Sequence, residues 1–295
     1  MLWLNLILAC VSLGAVGFVA WLARKKHRYL FQLHTAEMRR LRQEIQRLER
    51  KTRLNELRLG RPSLKPQLPV RFESQFGEDA VLFDFFKDQP QGFYIEAGAH
   101  NGITLSNTYF FESIGWTGLL VEAHPEAFKK CKENRPGSDV VHAALASTSE
   151  GSIRLQCRSK ESADLLAMAV DDRKNGSNGH FDFVEVPKRS LNDLLKDHTG
   201  PIDFLSLDVE GMELEALDGF DLERFAPRLL LIESNSEAER VAVQDYVERR
   251  GYIPGIQRGP NTFYFLESPE AQAFIELVNR DLWSGQPGPS RLYAS

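Results

Sequence analysis

The sequence predicts an α/β head, a mostly parallel sheet covered by helices on both faces, placed behind an N-terminal transmembrane helix and a helical stalk. Three observations predict it. Apolar runs alternate with amphipathic stretches from 74 to 266, the pattern of repeated strand–helix units. Residues 1–23 carry no charged side chain. The charge that follows is split: 24–71 holds 15 Lys and Arg against 4 Asp and Glu, whereas 72–295 holds 21 against 37. The expected organisation is an anchor at 1–23, a basic stalk and linker at 24–71, a head at 72–268, and a C-terminal helix with a flexible tail at 269–295.

The segment 2–23, LWLNLILACVSLGAVGFVAWLA, spans roughly 33 Å as a helix, enough for a hydrocarbon core of about 30 Å. Trp3 and Trp21 stand near its ends, where interfacial aromatics belong, and Arg24, Lys25, Lys26 and Arg28 follow at once. No basic residue precedes the run, which argues against a cleaved secretory signal. Positive charge stays on the cytoplasmic side. The expected arrangement is therefore a single pass, N-terminus out and head in the cytosol. Three scattered cysteines, Cys10, Cys131 and Cys157, agree with a reducing compartment; the sequon Asn175-Gly176-Ser177 points the other way. In the stalk Met38, Leu41, Ile45 and Leu48 follow helical 3-4-3 spacing. Fewer than three heptads support a solvated spacer better than a coiled-coil dimer. Pro62, Pro66 and Pro69 then stiffen a linker. The basic stalk lies next to the membrane, so anionic lipid is its expected partner and nucleic acid is not.

Within the head, 93–97 reads as a short buried strand ending at Gly98, 104–114 as a helix, 118–122 as a second strand, and 125–134 as a helix with Pro125 in its first turn. A third strand fits 140–144. The stretch 147–187 differs in character: strands fit 153–157 and 183–186, and DDRKNGSNG at 171–179 is a polar loop. Strands follow at 202–207, 229–233, 252–256 and 262–266, with helices at 213–217 and 237–250. The residues from Ser284 onward, rich in Gly and Pro, should be poorly ordered.

Ligands of open α/β sheets bind beyond the carboxyl ends of the strands. The first such turn is Glu96-Ala97-Gly98-Ala99-His100-Asn101-Gly102. A dinucleotide fingerprint fails at His100 and Ile103, which disfavours a nicotinamide-dependent dehydrogenase. The acidic-x-Gly-x-x-x-Gly spacing instead suits S-adenosylmethionine. Glu122 ends the second strand, 24 residues after Gly98, where a carboxylate can accept both hydroxyls of a ribose. In PIDFLSLDVEGME, an apolar strand delivers Asp208, with Glu210 and Glu213 within a turn, and Glu233 ends the next strand. Clustered acids are costly unless they bind something or share a proton, so Asp208 and Glu210 are the candidate catalytic pair.

Together the block Ser74-Gln75-Phe76-Gly77-Glu78-Asp79, the loop 96–102, the segment LSNTYFFE at 105–112, the stretch 118–125 and Asp208-Val209-Glu210-Gly211-Met212-Glu213 resemble the FkbM family of methyltransferases. The resemblance runs from about Ser74 to Leu266. It implies a class I methyltransferase fold, Rossmann-like, with a seven-stranded sheet whose last strand is antiparallel. It also implies S-adenosyl-L-methionine as cofactor and transfer to a hydroxyl oxygen, often on a sugar or a polyketide-like product; the expected membrane address suggests a glycan, lipid-linked, membrane-protein or other small-molecule acceptor. By resemblance Glu96, Gly98, His100 and Gly102 line the cofactor loop, Glu122 holds the ribose, and His142, Ala143 and Ala144 lie near the adenine. Asp208 and Glu210 face the transfer site, Asp208 as base or acceptor-orienting carboxylate. Ser206 stands where members often carry lysine, and Ser234-Asn235 where a histidine is common. A divalent metal at Asp208 and Glu210 is left open, and no histidine shows ligand spacing. The alternative is a membrane adaptor whose methyltransferase-like head is inactive.

Overall fold

The structure, a computed structural model, describes residues 68–157, 168–169 and 182–284, with residues 48, 51, 52 and 54 before them. The expected anchor at 1–23, most of the stalk, the loop 171–179 and the tail beyond Ser284 lie outside the described residues. Among those described, no helix is long and apolar enough to cross a membrane. The chain divides into two compact units, Met1–Thr52 and Arg53–Ser295, and every element below belongs to the second.

The elements in order are α1 (Glu78–Phe86), β1 (Phe93–Ala97), α2 (Tyr109–Ser113), β2 (Thr117–Glu122), α3 (Pro125–Asn134), β3 (Asp139–His142), β4 (Ala144–Leu145), β5 (Ser152–Cys157), β6 (Met168–Ala169), β7 (Asp182–Arg189), α4 (Leu191–Leu194), β8 (Phe204–Leu207), α5 (Glu213–Asp218), α6 (Leu222–Phe225), β9 (Leu229–Glu233), α7 (Glu237–Glu248), β10 (Tyr252–Arg258), β11 (Asn261–Leu266) and α8 (Pro269–Ser284). Seven strands form one sheet in the order β10-β11-β9-β8-β1-β2-β3. β1 pairs in parallel with β2 and β8, and β8 with β9. The last strand, β11, runs antiparallel to both its neighbours, β9 and β10.

Successive side chains of a strand point to opposite faces, and here the two faces have different cores. Phe204, Leu229, Leu231, Phe263 and Phe265 enter one cluster with Phe86, Phe111 and Trp116. Leu205, Leu207, Leu230, Ile232 and Tyr264 enter the other, with Leu217, Val243 and Val247. The first face is aromatic: Trp116 meets Phe86 at 5.5 Å and Phe111 at 4.8 Å, both edge-on, contacts worth about 0.5–1.5 kcal/mol each beyond area burial. Helix α7 is held at its start by a reciprocal cap, with Ser236 Oγ accepting from Glu239 N and the Glu239 carboxylate accepting from Ser236 N.

Three expectations require correction. The segment 104–114 is helical only over Tyr109–Ser113. Upstream, Asn101 Oδ1 accepts from the N–H groups of Ile103 and Thr104, and Glu96 accepts from Asn107 N. Leu105 stands at φ +61° and bridges Ser74, and left-handed backbone cannot continue an α-helix, so the chain stays a loop. The expected strand 140–144 breaks after Ala143 N–H closes the ladder with Glu122 O, because β4 leaves the main sheet to pair with β7. Finally, α1 precedes the first expected element, and the strands expected near 153–157 and 183–186 belong to a second sheet, β4-β7-β5-β6, inserted between β3 and β8.

Candidate active site

The C-terminal ends of β1, β2, β8 and β9 converge on a cavity of about 400 Å³. Its floor is the bend after β1. Gly98 has φ +81°, and a Cβ there would sit 1.8 Å from the carbonyl oxygen of Asp208. Only glycine lets the two strand ends approach this closely. Ala97, Ala99, Ala143 and Ala144 continue the small-residue lining. Four non-glycine residues among those described have positive φ, and three of them, His100 (+48°), Leu105 (+61°) and Glu210 (+54°), line this cavity. Such conformations cost about 1–3 kcal/mol each and persist only where the surroundings impose them.

Glu122 ends β2 and lines the cavity. Its oxygens accept from His100 N at 2.6 Å and His124 N at 2.7 Å. Burial pushes its carboxyl above the usual range, against the pull of those two amides. An ionised carboxylate has about four acceptor positions, and with the His100, His124 and Ala123 amides on it Glu122 keeps room for a further donor from the cavity. Glu96 also lines the cavity, but its carboxylate is tied inward, accepting from Asn107 N at 2.7 Å, Ser106 Oγ at 2.8 Å and Thr108 Oγ1 at 2.6 Å. It holds the loop 104–108 rather than presenting free oxygens.

Two expected cofactor residues point elsewhere. Gly102 does not line the cavity; it is the place where the loop presses on α3, a Cβ there falling 3.0 Å from Cys131 Sγ and 2.6 Å from Arg135 Cγ. His142 also lies off the lining. Its ring stacks on Phe128 at 5.1 Å, and its Nε2 pairs with Ala123 O at 3.0 Å, while Ala143, Ala144 and Leu145 face the cavity.

On the β8–β9 side, Asp208, Glu210 and Glu233 line the cavity, with Glu213 buried beside them. Glu213 Oε1 accepts from the N–H groups of Val209 and Gly211, folding the turn after β8. Desolvation, a hydrogen bond to Glu233 and the charges of Glu233, Glu210 and Glu213 push Asp208 up to about 9. Desolvation, then Glu233 and Glu213, lift Glu210 to about 7. Asp208, Glu213 and Glu233 each bring one carboxylate oxygen within 4.8 Å of the others, donor chemistry that hard divalent cations accept; Glu210 is not in that set.

Several lining residues were not singled out from the sequence as site residues. Asn107 Nδ2 donates to Ser206 Oγ at 2.9 Å, across the position where lysine is common. Gln75, Thr104, Leu105, Ile153 and Leu155 complete the wall. The Ser74–Asp79 block signalled Gln75, but only as a stretch of resemblance. The inserted sheet that supplies Ile153 and Leu155 gave no such signal.

The methyltransferase FkbM domain model matches residues 96–254. No curated protein sequence matches the chain. Similar solved structures include the METTL16 MTase domain, 14% identical over 76% of this chain and 80% of that one, with a TM-score of 0.40. A human methyltransferase 10 domain containing protein is 13% identical over 77% and 97%, with a TM-score of 0.39. Aeropyrum pernix fibrillarin with natively bound S-adenosyl-L-methionine is 10% identical over 60% and 66%, with a TM-score of 0.35.

Proposed function

Because the chain belongs to the FkbM family of S-adenosylmethionine-dependent methyltransferases, we propose that it is a membrane-anchored O-methyltransferase whose acceptor hydroxyl meets Asp208 and Glu210. The observation that carries this reading is the carboxyl cluster at the end of β8, standing on the rim of a cavity whose floor is open only because residue 98 is glycine.

The residues present suit the cofactor. The small residues Ala97, Gly98, Ala99, Ala143 and Ala144 let a nucleoside lie against backbone, and Glu122, which lines the cavity, can accept from a ribose hydroxyl. S-adenosylmethionine supplies an electrophilic methyl group when bound. The chain has to orient an acceptor and accept its proton. Asp208, held protonated up to about 9 with its proton toward Glu233, lines the rim as an uncharged carboxyl whose free oxygen helps orient the acceptor hydroxyl. Glu210, near 7, is ionised in part at neutral pH and takes the hydroxyl proton as the new carbon–oxygen bond forms. A general base performs best when its pKa lies near the working pH, and contributes about 10²–10⁴ in rate. An open, small-residue cavity favours this reading over that of an inactive adaptor.

Transfer of labelled methyl from S-adenosylmethionine tests it. Glu210→Gln should lower turnover about 10²–10⁴-fold with cofactor affinity unchanged, and wild-type activity should fall as pH drops below about 7. Unchanged turnover in Glu210→Gln refutes the base assignment. The anchor rests on the apolar run 2–23 and its basic flank, which support a single pass with the head in the cytosol. Retention in the membrane pellet after carbonate washing supports it; release contradicts it.

A further inference from the structure

We infer that Gln75 and Leu105 form an acceptor-gauging lip on the β8–β9 side of the cavity, selecting acceptors without anionic groups; the inference rests on the methyl-transfer reading above. Two chain segments build the lip. Ser74–Asp79 is folded back by buried acids: Asp79 accepts from the N–H groups of Glu73 and Ser74 and from Ser74 Oγ, and Glu78 accepts from Phe76 N at 2.8 Å. The other Glu78 oxygen accepts from Asn261 Nδ2 at 2.8 Å, and Asn261 is the ladder partner of Glu233. Phe76 lies against Gly259, where a Cβ would come within 2.6 Å of its ring. The block is therefore moored to the β9–β11 edge, beside the carboxyl cluster and away from Glu122 on β2.

The second segment carries Leu105. A bridge pairs Ser74 with Leu105, and Asn107 ties the same loop to Ser206 on β8. Leu105 is 40% exposed and sits at φ +61°. A large apolar side chain held out in water in a conformation that favours glycine has no stabilising reason to be there. It is explained if it packs on a bound acceptor. Gln75, exposed and lining the same cavity, offers an uncharged donor and acceptor next to it.

The lining also states which acceptors fit. Among the described residues it contains five carboxylates, Glu96, Glu122, Asp208, Glu210 and Glu233, and no Lys or Arg. A phosphate or carboxylate on the acceptor would meet Glu210 and Glu233 beside the lip and, among the described residues, no cation in the lining, and such juxtaposition is a strong device against wrong partners. The acceptor class is thus a hydroxyl compound with an apolar flank, neutral or cationic.

The test uses the full chain in detergent, labelled S-adenosylmethionine and an extract of cells expressing the chain, with products separated by anion exchange. The label should appear in the unretained fraction. Leu105→Gly removes the backbone strain, so its thermal midpoint should hold or rise. The extract needed for half-maximal labelling should nevertheless rise about five- to tenfold, with cofactor affinity unchanged. Gln75→Ala should shift the same quantity in the same direction. Label in the retained fraction, or half-saturation unmoved in both variants, overturns the inference while leaving methyl transfer standing. No labelled product at all overturns the transfer reading and this one together.

Discussion

Two groups of carboxylates flank the end of β1, and the molecule treats them in opposite ways. Toward α3, Glu96 and Glu112 meet Arg135, which is fully buried. Arg135 Nε reaches Glu112 at 2.8 Å and Nη1 lies 3.5 Å from Glu96. Its remaining donors go to Gly102 O, Ser106 Oγ, Thr108 Oγ1 and Tyr94 OH, and Gly137 N and Ser138 Oγ close the shell around Glu112. Toward β9, Asp208, Glu210, Glu213 and Glu233 gather with mutual repulsion instead of a cation, and the protons of Asp208, Glu210 and Glu213 are held more tightly. The satisfied cluster fixes the loop that floors and walls the cavity. The frustrated one faces the cavity and is where proton transfer is placed. A buried acid is structural where its lone pairs are used up, and available for chemistry where they are not.

The contrast can be broken most readily at Arg135. Arg135→Met leaves two buried carboxylates unpaired and should lower stability by about 3–5 kcal/mol, read by urea denaturation. Pairing it with Glu112→Gln should restore part of the loss. A loss below 1 kcal/mol would remove the distinction between the clusters. On the other side the sign reverses. Glu233→Gln removes a carboxylate from beside Glu210, which is mostly ionised at pH 8, and should raise stability there by about 1 kcal/mol, measured the same way.

The pH dependence is smaller and sharpens the same point. Asp208 and Glu210 hold protons to about 9 and about 7, well above the values of an unfolded chain. Between about pH 4 and 9 the folded protein therefore binds more protons than the unfolded one. Stability must fall as pH rises across that window. Glu122 and Glu213 are displaced the same way and add to the slope. Asp208→Asn should flatten it, read from urea denaturation midpoints across that range.

Much of this arrangement can be read from local sequence. The strand Leu229–Glu233 is an uninterrupted apolar run, and α3 opens with Pro125 at its first turn. The convergence of Gly98, Glu122 and Asp208 follows from strand ends in a parallel sheet. What escaped depends on partners distant in sequence. The loop 104–108 looks helical until Leu105 takes left-handed backbone against Ser74 and Glu96 anchors the turn. Gly102 and His142 stay off the cavity lining because they pack on α3 and its C-cap, through Cys131, Arg135 and Phe128. Arg135 gave no sign in a polar stretch that it would be the buried centre of a network.

The claim that Gly98, Glu122 and the β8 acids surround one sulfonium nucleoside is tested most directly by calorimetric titration of S-adenosylmethionine into the full chain and its Glu122→Ala variant. We predict one-to-one binding to the wild type and at least a tenfold loss in the variant, about 1.4 kcal/mol, with its unfolding midpoint preserved. No binding to the wild type, or equal affinity for both, would contradict it.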